Sequence, residues 1–294
     1  MPTAVYLTSP DYLGNTVDLA EISRVCKKFG VLLLVDNAHG AYLKFLPESH
    51  HPIDLGADMC CDSAHKTLPV LTGGAYLHVS KNAPAMFAAR AKDALALFGS
   101  TSPSYLILQS LDLANGYIAD GYREKLAGFI DYVNTCREKL GAHGYTLCGD
   151  EPLKLTVSTK PYGYDGCDFA SALEERGIIC EFADNDYCVL MLTPEIGAQG
   201  IDRLTEAMLS LPKLDEISTK PPKFHFADRV MSAREAVFSP SEVIRASESA
   251  GRILANATVG CPPAVPIVMC GERIDEAAVR AFEYYGIDTV TVVK

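Results

Sequence analysis

The stretches VLLLVDNAHG (residues 31–40) and GADMCCDSAHKTLPVLTGGAYLHVS (residues 56–80) decide how this chain folds. Residues 31–35 form an unbroken apolar run that stops at an acid, Asp36. A strand buried on both faces reads this way, because neither face has to meet water. DMCCDS and GAYLHVS give two further short strand signals, and AVYLTS (4–9) gives one upstream. Between AVYLTS and VLLLVD lies TVDLAEISRVCKKFG (16–30), with Leu19, Ile22, Val25, Cys26 and Phe29 along one helical stripe and Gly30 closing it. Strand and helix alternating in this way predict an α/β layer with a mostly parallel sheet.

Further along, residues 102–141 carry a long helical signal. LKLTVST, GCDFASALEERG, YCVLMLTP and GIDRLTEAMLSL then alternate as strand, helix, strand and helix. These boundaries divide the chain into a large α/β region (1–141), a small α+β region (142–212), a polar proline-bearing linker (213–223) and a C-terminal region (224–294). In the last, a helix is expected over SPSEVIRASESAGRIL (239–254) and another from Asp275, either side of the loop GCPPAVPIVMCGE (260–272).

Composition narrows the function. The 294 residues are 48% hydrophobic and 21% charged, as in a globular protein. A net charge of -11 argues against nucleic acid and acidic membrane surfaces as partners, since both recruit basic patches. No apolar run reaches the roughly 20 residues needed to cross a bilayer. The N-terminal residues show no signal-peptide pattern, so the cytoplasm is the expected compartment. The ten cysteines contain no C-x-x-C pair and mostly lie in apolar runs, which reads as packing rather than zinc. His50 and His51 are adjacent and point apart in an extended loop, with no third ligand near in sequence, so no metal site is expected. His78, in mid-strand, reads as structural.

The chemistry concentrates at two strand ends. Carboxyl ends of parallel strands face a shared crevice, so Asp36 and Lys66 are expected to converge there. Singly, an Asp ending a strand is a turn former, and a lysine is a solvated charge. Together, an amine and a carboxylate in an apolar cleft suit pyridoxal 5′-phosphate: the amine bonds the aldehyde, and the acid keeps the pyridine nitrogen protonated. Ser63 and His65, flanking the lysine, can donate hydrogen bonds to a phosphate.

VDNAHGAY followed by GADMCCDSAHKTLPVLTGGAYLH resembles the bacterial Orn/Lys/Arg decarboxylases of the aspartate-aminotransferase fold (fold type I). LTSPDYLG, STSPSYLILQSLD, MSAREAVFSPSEVI and CPPAVPIVMCGE are similar to that family too, in its order, over nearly the whole chain. The resemblance implies that Lys66 holds the cofactor, that Asp36 partners the pyridinium and that Ala38 lies against the ring. It further implies that Ser63 and His65 contact the phosphate, and that Ser100, Thr101 and Ser102 reach the phosphate of a neighbouring subunit in a dimer. His39 is placed near substrate by the same resemblance; a packed histidine bonded to backbone is the other reading. The implied reaction is decarboxylation of arginine, lysine or ornithine, with CO2 lost and a proton returned to Cα.

The family's sheet begins well before AVYLTS, and its glycine- and serine-rich phosphate turn lies in that earlier segment. The chain is therefore expected to be the family's C-terminal part, with a partial large domain and an open sheet edge that a complementing segment could pair. A catalytically silent subunit that pairs with a full-length relative is the alternative from another class. A different pyridoxal enzyme of the same fold is a third.

Overall fold

The computed structural model describes residues 2–100, 102–223, 225–256, 260–261 and 265–294. Two compact units divide it: Met1–Ala142 with Leu147–Leu155 and Met191–Glu206, and His143–Thr146 with Thr156–Leu190 and Ala207–Lys294.

The first unit is built on strands β1 (Ala4–Thr8), β2 (Leu32–Asp36), β3 (Met59–Asp62) and β4 (Tyr76–Val79), hydrogen-bonded in that order. β1, β2 and β3 are parallel and β4 runs antiparallel to β3, giving the mostly parallel sheet that the sequence predicts. Helix α1 (Leu19–Lys28) connects β1 to β2, starting at an Asp18 carboxylate that accepts the Glu21 N–H. Leu19 and Cys26 on α1 pack with Val31, Leu33, Val35, Ala57 and Cys60 in one buried cluster. The short helix α2 (Ala64–Thr67) follows β3, and Gly73 at φ 98° makes the turn back into β4, a conformation open to glycine at no steric cost. Helices α3 (Ala85–Phe98), α4 (Tyr105–Ala119) and α5 (Tyr122–His143) come next. The single long helical signal over 102–141 is therefore two helices, broken at Asp120 and Gly121, the latter at φ 73°.

A second four-stranded sheet, with most of its residues in the second unit, joins β5 (Thr146–Cys148), β6 (Lys154–Ser158), β8 (Tyr187–Met191) and β7 (Phe182–Ala183) in that order. Helices α6 (Gly166–Glu174) and α7 (Gly197–Leu209) fall where their periodicity puts them. In the tail, α8 (Ala233–Phe238) begins with Ser232 and Glu235 capping each other reciprocally. The helix expected over 239–254 is instead β9 (Ser241–Arg245) and one 3-10 turn, Ala246–Glu248. β9 pairs antiparallel with β12 (Thr289–Val293), whose residues no local pattern in 239–254 could reveal. Between them come the two-residue strands β10 (Gly260–Cys261) and β11 (Val265–Pro266), then α9 (Glu276–Tyr284). Leu254, Val268, Ile274, Phe282, Val290 and Val292 form the buried centre here.

Candidate active site

Parallel pairing sets the ends of β1, β2 and β3 side by side, with Thr8 opposite Asp36 and Asp36 opposite Cys61. The turn after β2 is pinned twice. Asn37 donates its backbone N–H to the Cys61 carbonyl (2.9 Å) and its side-chain amide to Asp62 Oδ1 (2.7 Å). Gly40 closes the turn because a Cβ there would lie 2.0 Å from Asn37 Oδ1. So held, Asp36 accepts the Ala38 N–H at 3.1 Å, and the Tyr6 hydroxyl reaches its other oxygen at 3.5 Å. His39 turns inward and is 4% exposed.

Past β3, α2 delivers Lys66, whose Nζ lies 3.0 Å from His39 Nε2. The other ring nitrogen, Nδ1, lies 3.1 Å from Lys154 Nζ. Lys154 is sealed from solvent and paired with Glu151 (3.0 Å), which also accepts from the Tyr42 hydroxyl (3.3 Å). The Tyr12 ring stands edge-on to His39 at 5.2 Å, with Lys66 and Lys154 at 6.0 and 5.8 Å from its centroid. His39 is thus bonded to two amines rather than to backbone.

This arrangement dictates where the protons sit. Burial first, then the charges of Lys154 and Lys66, push the His39 imidazole down to about 3, so the ring is neutral with one N–H and one lone pair. An ammonium only donates, and the Glu151 carboxylate fixes Lys154 as an ammonium. Lys154 therefore donates to Nδ1, and Nε2 is the ring nitrogen that faces Lys66 Nζ.

The residues singled out in the sequence distribute as follows. Asp36, Ala38 and His39 lie at the end of β2 and just after it, and Ser63, His65 and Lys66 lie just after β3, the last two on α2. Ser63 precedes α2 and makes no side-chain cap there. His65 Nδ1 donates to the Gly74 carbonyl at 2.9 Å, so Nε2 is the nitrogen left for a phosphate, and it donates only when the ring is protonated. Ser100 and Ser102 are exposed between α3 and α4, bonded to each other at 3.1 Å; Thr101 lies outside the described residues. Tyr12, Lys154 and Glu151 were not singled out in the sequence. A lysine inside the apolar strand LKLTV was the available signal.

The chain matches the family model for the Orn/Lys/Arg decarboxylase major domain over residues 1–150, and that for the Orn/Lys/Arg decarboxylase C-terminal domain over 217–288. The chain belongs to the Orn/Lys/Arg decarboxylase family. The chain is 32% identical over 296 residues to the uncharacterized protein YaaO of Bacillus subtilis, covering 93% of this chain and 60% of YaaO. It is 30% identical over 290 residues to the arginine decarboxylase of the same organism, covering 91% of this chain and 58% of that enzyme. It spans about three fifths of the length of these curated relatives. Lysine decarboxylase A from Pseudomonas aeruginosa shares the fold, with a TM-score of 0.77 at 18% identity over 99% of this chain and 57% of that one. The fold is thus that of the fold type I pyridoxal enzymes.

Members of the Orn/Lys/Arg decarboxylase family depend on pyridoxal phosphate. The residues here fit that group. Among the described residues neither Lys66 nor Asp36 has an ion-pair partner, although the strand ends that carry them adjoin. The Ser63 hydroxyl likewise makes no hydrogen bond among them, and Thr67 Oγ1 is buried without one. An amine and a carboxylate without ion-pair partners, and hydroxyls without hydrogen bonds, match an aldehyde, a pyridinium and a phosphate.

Proposed function

We propose that the chain acts in the pyridoxal-phosphate-dependent decarboxylation of a basic amino acid, arginine, lysine or ornithine. The observation that carries this reading is the Lys66–His39 contact at 3.0 Å, with Asp36, a carboxylate without an ion-pair partner among the described residues, ending the strand that pairs with β3. Bound there, the cofactor would supply the electron sink that makes loss of CO2 from an amino acid feasible. Lys66 would hold it covalently, Asp36 would keep its ring nitrogen protonated, and Ala38 would lie against the ring. Ser63 and His65 would take the phosphate. His39 Nε2, 3.0 Å from Lys66 Nζ, would orient that amine and the substrate amine that displaces it.

A second copy of this chain is the partner we propose, with Ser100, Thr101 and Ser102 serving the neighbour's phosphate. Exposed apolar residues on the flanking helices support it: Leu97 and Phe98 on one side, Tyr105 and Leu106 on the other. The compartment proposed is the cytoplasm. A silent subunit that only associates is the rival reading.

Pyridoxal phosphate added to the purified chain, followed by borohydride reduction and peptide mapping, tests the proposal. Label on Lys66, with CO2 released from one of the three amino acids and both lost in Lys66→Ala, is the expected result. Assembly without label or CO2 would favour the silent subunit.

A further inference from the structure

We infer that His51, Asp62 and His78 form a site for a zinc-class divalent cation, separate from the residues assigned to the cofactor. Sequence distance hid this convergence, and metal was set aside for want of a third ligand beside His51. The fold supplies two. Asp62 ends β3, and antiparallel pairing puts His78 of β4 opposite Cys60, so His78 and Asp62 share a sheet face one diagonal step apart. His51 arrives from the loop after the 3-10 turn Ala41–Phe45. Nε2 of each imidazole stands 3.0 Å from the same oxygen, Asp62 Oδ2, and the three ligand atoms lie within 4.8 Å of one another.

Charge, support and access agree with a cation. Asp62 is 3% exposed, and among the described residues no lysine or arginine pairs with it, so only the two imidazoles and the Asn37 amide meet its charge. A buried carboxylate in that condition draws in a cation. Asn37 donates to Oδ1 at 2.7 Å and thereby orients the carboxylate with Oδ2 toward the imidazoles, the outer support that metal-binding carboxylates need. Two imidazoles and one carboxylate are the ligand set of a zinc site whose fourth position stays open. All three residues line a cavity of about 430 Å³, together with Phe45, Tyr76 and Ile118, which gives the ion an entry and a solvent ligand room. Binding requires each imidazole to carry its proton on Nδ1. At His51 this gives up a long 3.4 Å contact from the Ile53 N–H and the 3.0 Å hydrogen bond to Asp62, whose place the ion takes.

The test uses the tag-free full chain, stripped with chelator and without pyridoxal phosphate, so that it is independent of the proposed activity. Zn2+ is titrated by calorimetry and Co2+ by visible absorption, in wild type and in His78→Gln. His78 is 38% exposed, so this variant should keep its fold, which circular dichroism verifies. One equivalent per chain, tetrahedral Co2+ bands, and an affinity weakened by roughly 100-fold or more in His78→Gln would support the site. No stoichiometric uptake by wild type would overturn it. So would uptake of equal affinity in the variant, which would place the ion on other residues.

Discussion

Lys154 is a cation closed inside the protein, and its value lies in what it does to His39. Replacing it by methionine keeps the volume but strands the Glu151 carboxylate, which burial already pushes up from its ordinary range against the pull of Lys154. Stranding a buried charge costs about 3–5 kcal/mol, whereas an apolar pair of similar volume is often tolerated. Lys154→Met should therefore lose about that much stability in urea denaturation, and Lys154→Met with Glu151→Leu should recover most of it. His39 makes a pH prediction. Its folded value, about 3, lies below its ordinary 6.5, so the unfolded chain binds the extra proton. Stability from this group is complete above 6.5 and is lost as pH falls from 6.5 toward 3, by at most ~1.4 kcal/mol per pH unit. Glu151, raised rather than lowered, acts with the opposite sign, so the comparison that isolates His39 is wild type against His39→Gln. The variant should show a shallower fall between pH 6 and 4 by chemical denaturation; parallel curves would refute the assignment. Asp36 stood out in the sequence because it ends a strand-like run, and Lys66 because it follows one closely. Lys154 was not, since 115 residues separate it from the histidine it touches.

Elements whose partners are local in sequence were the readable ones. Helix α1 and strands β1 to β4 lie where period and turn chemistry put them, because each buries its own stripe against a neighbour close in the chain. The region 239–254 misled because an apolar spacing compatible with a helix was overruled by pairing with β12, which is distant in sequence. Helix α3 shows the converse failure. None of its fourteen residues is buried, with Leu97 at 79% and Phe98 at 90% exposure, so it presents apolar surface that none of the described residues covers. Apolar patches of this kind mark association surfaces. Leu97→Glu with Phe98→Lys should shift sedimentation velocity toward the monomer while changing urea stability by no more than ~0.5 kcal/mol, as exposed positions do.

For the whole molecule, ten cysteines and no tryptophan are properties that composition alone foretold, and burial refines them. Cys26, Cys60, Cys136, Cys188 and Cys270 are buried, while Cys61 and Cys167 are exposed. Among these described cysteines a thiol reagent should modify chiefly the latter two in the native protein, and in denaturant all ten of the chain, read peptide by peptide by mass spectrometry. Early modification of Cys60, whose thiol is pushed far up by burial and by Asp62, would mean that the β3 layer opens readily. The reversal of β4 has a practical consequence. Because Val79 pairs with Met59, the chain leaves this sheet at the end opposite the one carrying Asp36 and Lys66. The exposed turn around Lys81 and Asn82 is therefore a place to graft a fluorophore-binding tag or an affinity loop, one that would report on the protein without obstructing its chemistry.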